Sequence, residues 1–231
     1  MLITWDEQSS RRFIAASEYT GFHKLLAARL IPYLDRADKL CDIGCGLGRL
    51  DLELAPYVRE ITAVDVSGYA VNTLRAAAKE AGIENIRALC GDAAELKPGY
   101  DVVLMSLYGQ PDSVKTLELC SRRLIRVAGA GRKSGLYPER HRREAKDAVP
   151  VVSGELDSSG VNYLLERHTF EFGQPLETWD DAVSFVLTNA PEAGAREIEE
   201  FLNANLQSTG RDDYPYYLPY RKELGIFIVD K

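Results

Sequence analysis

A chain of 231 residues, 45% of them apolar, is long enough to bury a substantial core, which argues against disorder. Its formal net charge is −7 and its pI about 5.1, the opposite of the basic footprint of a general nucleic-acid binder, so a nucleic-acid partner is not expected. No apolar run approaches the roughly 20 residues of a membrane span, and residues 1–12 lack the apolar segment of a signal peptide, so a soluble cytoplasmic protein with no membrane partner is expected.

In chain order, residues 6–34 read as helical, with Phe22, Leu25, Leu26, Arg29 and Leu30 at helical spacing and Pro32 marking the end. Residues 39–43 read as a short buried strand, and Arg49 to Val58 as a helix. Residues 60–64 read as a β-branched strand, and 68–81 as an alanine-rich helix stopped by Gly82. Strands follow at 85–89, 100–106 and 122–128, with a helix at 111–120 opened by Pro111 and a charged helix at 138–148. Strands alternating with helices at this interval predict an α/β fold, a doubly wound, mostly parallel seven-stranded sheet with helices on both faces. Such sheets bind ligands outside the carboxyl ends of their strands, so each loop after a strand becomes a candidate.

The last third reads differently. Residues 161–172 alternate like an exposed or edge strand, two helical stretches follow at about 178–188 and 192–206, and the aromatic loop YPYYLPY spans 214–220 before a closing strand at 225–229. No linker divides the chain. A single domain is expected over 1–231, with an N-terminal helical cap at 1–37, a cofactor-binding core at 38–129, and a substrate-side elaboration with closing strands at 130–231, including a helical insertion before the last strand.

The densest signal is KLCDIGCGLGRLDLELA, residues 39–55, where Gly44, Gly46 and Gly48 separate a strand from a helix. The dinucleotide fingerprint is G-x-G-x-x-G, but the spacing here is G-x-G-x-G, and no Gly-Lys-Ser/Thr follows to make a P-loop. Asp42 at the strand end would repel a pyrophosphate and suit an ammonium. Asp65 lies 21 residues after Gly44 at the end of the second strand, where a carboxylate accepts hydrogen bonds from ribose hydroxyls. Dinucleotide folds carry an acid at the same place, so Asp65 by itself leaves NAD and other nucleoside cofactors open.

DIGCGLG followed by AVDVS and GDAAEL resembles the class I S-adenosylmethionine-dependent methyltransferases, which have a Rossmann-like fold. The resemblance covers residues 38–129 and, more loosely, the N-terminal helix. It implies S-adenosyl-L-methionine as cofactor and S-adenosyl-L-homocysteine as product. Asp42, Gly44, Cys45, Gly46 and Gly48 would lie around the methionine part, with loop amides approaching its carboxylate, and Asp65 and Val66 at the ribose. Asp92 would accept from the adenine amino group and the Ala93 amide would meet the ring. Ser106 and Leu107 would border the sulfonium. The same loop lacks the Asn-Pro-Pro-aromatic motif of DNA amino-methyltransferases, so base methylation is not expected.

The expected activity is methyl transfer to a small-molecule acceptor by in-line displacement. The alternatives are a non-catalytic or regulatory S-adenosylmethionine-binding protein and a NAD-dependent oxidoreductase. Tyr108 could contact the methyl group or the acceptor, and His23 and His141 are the candidate bases, with His168 in the alternating strand. Residues 122–146 hold nine Lys/Arg against two acids, which suggests an anionic acceptor held by Arg132, Lys133, Arg140, Arg142 or Arg143, unless this is a solvated helix face. In YPYYLPY, Tyr216 and Tyr217 read as a substrate lid, a contact within a dimer, or plain packing. Cys41, Cys45, Cys90 and Cys120 form no C-x-x-C pair and read as reduced, buried thiols, with no metal ligand set.

Overall fold

The computed structural model describes residues 5–109, 112–131, 135–142 and 148–231. Asp6 opens α1 (Glu7–Thr20) with a capping box in which its carboxylate accepts from the Ser9 amide at 2.7 Å. Gly21, with φ of 65°, ends α1 and starts α2 (Phe22–Leu30), so the single helical stretch expected over 6–34 is two helices broken where only glycine is relaxed. Leu25, placed on the apolar stripe by spacing, is exposed.

The core then alternates: β1 (Lys39–Ile43), α3 (Arg49–Leu54), β2 (Glu60–Asp65), α4 (Gly68–Glu80), β3 (Ile86–Cys90) and β4 (Tyr100–Ser106). The expected helix at 111–120 is shorter, α5 (Ser113–Thr116) plus a 3-10 turn to Leu119, and Pro111 lies outside the described residues. Next come β5 (Cys120–Gly129), α6 (Val149–Ser158) and β6 (Leu164–Glu171). Of the charged helix expected over 138–148, residues 143–147 lie outside the described residues. Glu139–His141 is a single 3-10 turn, and α6 starts beyond it at Val149, where Val152 and Leu156 reach the core.

The chain continues through β7 (Gln174–Leu176), α7 (Trp179–Asn189), α8 (Ala195–Asn205), β8 (Gln207–Ser208), β9 (Tyr216–Leu218) and β10 (Arg221–Asp230). The main sheet has seven strands in the order β3-β2-β1-β4-β5-β10-β6. β1 to β5 are mutually parallel, and β10 inserts antiparallel between β5 and β6, with β6 at the edge. Alternate residues of each strand feed two apolar layers. Leu40, Val102, Leu104, Ile226 and Ile228 meet α2, α3 and α4 on one face. Cys41, Val103, Met105, Phe227 and Val229 meet α6 on the other. The segment YPYYLPY is more than a loop, because its Tyr216–Leu218 form the central strand of a three-stranded sheet, β7-β9-β8. That sheet, α7 and α8 enclose a third apolar cluster around Phe185, Val186, Leu202 and Leu218.

Candidate cofactor and acceptor site

The order β3-β2-β1-β4 brings the carboxyl ends of four consecutive parallel strands side by side. Asp92, then Asp65 and Val66, then Asp42 with the glycine loop, then Ser106 to Tyr108 thereby line one edge. All of these but Tyr108, the catalytic and acceptor candidate, belong to the set the sequence singled out as cofactor-binding.

The loop after β1 is drawn back onto the sheet, because Gly44 and Cys45 both donate to the Val64 carbonyl, at 2.8 and 3.1 Å. The Gly46 amide donates to Asp65 Oδ2 at 2.9 Å and Gly48 to the Cys45 carbonyl at 3.0 Å. The expectation that amides of Gly44 and Gly46 face a ligand carboxylate is therefore not met in this geometry, since these donors are engaged within the chain. What the glycines provide is clearance. A Cβ on Gly44 would stand 2.2 Å from the Tyr108 ring, and one on Gly48 2.3 Å from the Leu74 side chain. Both positions also have φ near 70°, where other residues are strained.

Asp65 is half-buried, and its second oxygen accepts from the Ser67 amide at 2.8 Å. Each carboxylate oxygen thus holds one backbone donor and retains a lone pair. Val66 beside it is exposed, as is Cys90, which was expected to be buried. Asp92 caps the turn at Ala93–Glu95 by accepting from the Ala94 amide at 2.9 Å. Leu107 is the only described non-glycine residue with positive φ, 54°, and its amide donates to the Val127 carbonyl at 2.9 Å. This turn aims Tyr108 at the glycine loop. Burial, Asp92 and Asp65 together push the Tyr108 hydroxyl pKa upward, so the ring lies near these two acids.

Two further residues join this region. Trp5 packs on Gly46, its ring 3.3 Å from where a Cβ would be. Asp51, on α3, is fully buried with Asp42, and each carboxyl is the other's hydrogen-bond partner. No described donor reaches Asp42 Oδ1 or either Asp51 oxygen. Burial pushes both groups' pKa values up, the charge of Asp65 adding to the rise in Asp42 and that of Asp42 to the rise in Asp51, so the pair holds on to a proton. The signal for Asp51 was in the sequence. Leu47, Leu50, Asp51, Leu54 and Ala55 form one buried helical stripe, in which the acid occupies an apolar position.

The candidate bases separate. His23 is buried among Phe13, Phe22 and Phe172, its Nδ1 bonded to Ser17 Oγ at 2.6 Å. Burial, then Lys222 and Arg49, hold its pKa down at about 3, so it stays neutral. His141 and Arg140 both bind Glu197 of α8, and His168 binds Glu166 at 2.8 Å. Arg142 donates to the Tyr137 carbonyl at 2.8 Å. Earlier in the basic stretch, Arg122 pairs with Asp38 and Arg123 with Asp230. Arg126 is fully buried, donating to Met105 Sδ and the Tyr108 carbonyl, both at 3.3 Å. Arg132, Lys133 and Arg143 lie outside the described residues. The described part of this stretch thus braces the fold. Tyr217 stacks on Tyr19 and donates to Glu171 at 2.6 Å, while Tyr216 packs on the third cluster.

Among the described residues no helix is long and apolar enough to cross a membrane, and no group of three metal-ligating side chains is found.

Residues 40–126 match the family model described as a methyltransferase domain. An uncharacterized RNA methyltransferase of Thermosynechococcus vestitus is 33% identical over 104 residues, covering 42% of this chain and 23% of that protein. A probable cobalt-precorrin-6B C(15)-methyltransferase (decarboxylating) of Methanococcus maripaludis is 33% identical over 92 residues, covering 40% of this chain and 51% of that one. The chain thus spans about a quarter and about half of the length of these two relatives. The fold is shared with the YcgJ protein of Bacillus subtilis, at TM-score 0.58 and 15% identity over 89% of this chain and 97% of that one.

Proposed function

We propose that the chain is a class I methyltransferase that binds S-adenosyl-L-methionine and transfers its methyl group to a small-molecule acceptor, a reading supported by the match of residues 40–126 to a methyltransferase domain. The observation that carries this reading is the row of Asp92, Asp65 and Asp42 at adjacent strand ends beside a glycine loop with no cation-rich phosphate cradle. The residues suit this group: Asp65 keeps a free lone pair on each oxygen, Val66 offers an exposed apolar surface, and Asp42 holds an oxygen without a donor. When bound, S-adenosylmethionine supplies a methyl electrophile on a sulfonium.

The chain's own part is placement. Asp65 orients a ribose, Asp92 and the Ala93 amide meet an adenine edge, and the glycines admit the amino-acid part. Trp5 and Tyr108 cover the loop and exclude water. Positioning of this kind can contribute much of the rate in an in-line displacement. A base is needed only when the acceptor's nucleophile arrives protonated, and His23, held neutral by burial, is in this reading a packing residue. The net charge of −7 argues against an RNA acceptor.

S-adenosylhomocysteine at 100 times its dissociation constant is expected to stabilise the protein by about 2.7 kcal/mol. Asp65→Ala should remove most of that gain while the protein stays folded. A thermal shift with NAD and none with S-adenosylhomocysteine would overturn the reading.

A further inference from the structure

Lys222 stands on β10 opposite Phe170, where β10 enters the sheet beside the carboxyl end of β5. Its Nζ lies 5.0 Å from the Phe172 ring centre and 5.6 Å from that of Phe22. Among the described residues it makes no hydrogen bond and no ion pair. An ammonium held half-buried without a counter-ion is a costly arrangement, which an anion would relieve. Burial lowers its pKa to about 8, so it remains largely charged at neutral pH. Arg49, which with Lys222 lowers the pKa of His23, is paired with Glu18 at 2.9 Å, and His23 is neutral.

From this ammonium a row of aromatic rings leads back to the glycine loop. Phe172 meets Phe13 edge-on at 5.6 Å, Phe13 meets Trp5 at 5.2 Å, and Trp5 covers Gly46. Trp5, Phe13 and Phe172 are each only half-buried. One end of the row therefore lies at the candidate methyl-donor seat and the other at an unpaired cation.

We propose that Lys222 and the row Trp5, Phe13 and Phe172 form the acceptor subsite, and that the acceptor is a small planar aromatic acid whose anionic group binds Lys222. This rests on the methyltransferase reading for the word acceptor, but the site itself is defined by chemistry independent of it. It also moves the anion-binding role away from Arg140 and Arg142, which have partners within the chain. The competing account is that the lysine stem packs along Phe172 and Phe22 while the ammonium is merely hydrated.

Benzoate, its neutral isostere benzamide and the non-aromatic cyclohexanecarboxylate serve as probes, titrated by tryptophan fluorescence with and without S-adenosylhomocysteine. Benzoate should bind roughly 10-fold more tightly than benzamide, the value of a charge-assisted contact, and also more tightly than cyclohexanecarboxylate, which keeps the charge but lacks the aromatic ring. Lys222→Met should erase the preference for benzoate over benzamide without changing the melting temperature or the affinity for S-adenosylhomocysteine, and Lys222→Arg should retain it. Should Lys222→Met fail to fold, Lys222→Gln takes its place, and Phe172→Leu should lower the preference for benzoate over cyclohexanecarboxylate. Equal binding of benzoate and benzamide, no binding of benzoate, or a preference that survives Lys222→Met would each overturn the subsite. Benzoate selectivity without S-adenosylhomocysteine binding would uphold the subsite and sink the methyltransferase reading, while the reverse result would sink the subsite alone.

Discussion

Around the glycine loop, charged groups lie inside the protein, whereas in the region built from β7, β8, β9, α7 and α8 they lie outside. Asp42, Asp51 and Arg126 are each almost fully buried among the strands of the first region. The cluster inside the second is apolar throughout, and its ion pairs, such as Arg196 with Glu200 and Arg211 with Asp213, face solvent. Buried polar groups seldom improve stability over well-packed apolar ones, so their concentration at one edge of the sheet marks where this fold gives up stability for a site. The second region is attached chiefly through α1. Arg12 there is buried and binds Asp181 at 2.8 Å, Ser184 at 3.1 Å and Thr188 at 3.3 Å, all on α7.

The largest effect should come from cutting an equivalent apolar side chain in each region. Leu74, under Gly48, and Leu202, on α8, are both fully buried. Leu74→Ala and Leu202→Ala should each destabilise by about 2–5 kcal/mol and lower the melting temperature by about 5–15 °C. Calorimetry is expected to show one transition for both variants, because α1 packs on both regions. A separate early transition in Leu202→Ala alone would show that the regions unfold independently.

The polar attachment gives a smaller effect. Arg12→Ala leaves Asp181 without its cation, and urea unfolding should register a loss of about 1–3 kcal/mol, reduced because Asp181 is partly exposed. Binding of S-adenosylhomocysteine should be unchanged. A loss of binding instead would mean that the second region shapes the cofactor seat.

The two regions also differ in how far they can be read from sequence. The βα alternation, the glycine spacing and the acids at 42, 65 and 92 are local signals, and the structure places the three acids at neighbouring strand ends along one edge of the sheet. The second region depends on pairings between distant segments. Tyr216–Leu218 is a strand only because Gln174–Leu176 lies beside it, and nothing in YPYYLPY itself announces that partner. The pairing of Arg140 and His141 with Glu197 is likewise set by α8 packing back over the loop. Lys222 falls between these cases. Its residue type is visible, but its isolation over Phe22 and Phe172 emerges only when β6, α2 and β10 meet.

The smallest effect tests whether the first region's buried charge is what distinguishes it. The Asp42–Asp51 pair binds protons in the folded state that the unfolded chain releases near the ordinary value of 3.8, since burial raises both groups. Folded protein therefore binds more protons than unfolded, and the pair's contribution to stability falls as pH rises from about 4 through about 7, where Asp42 ionises. The groups facing the pair are Asp65, whose charge adds to the rise in Asp42, and the thiols of Cys41 and Cys45, which burial keeps neutral. Asp51→Asn keeps a donor toward Asp42 but removes the second titrating carboxyl, so its stability should depend less on pH. Between pH 5 and pH 8 the wild type should lose more stability than Asp51→Asn, measured by urea unfolding at matched ionic strength. His23 acts in the opposite direction, since its lowered pKa removes stability as pH falls below 6.5, but it is common to both proteins and cancels in the difference. Parallel pH profiles would mean that Asp42 and Asp51 do not share a proton, and that the acid row at the strand ends is no more strained than the ion pairs at the surface of the second region.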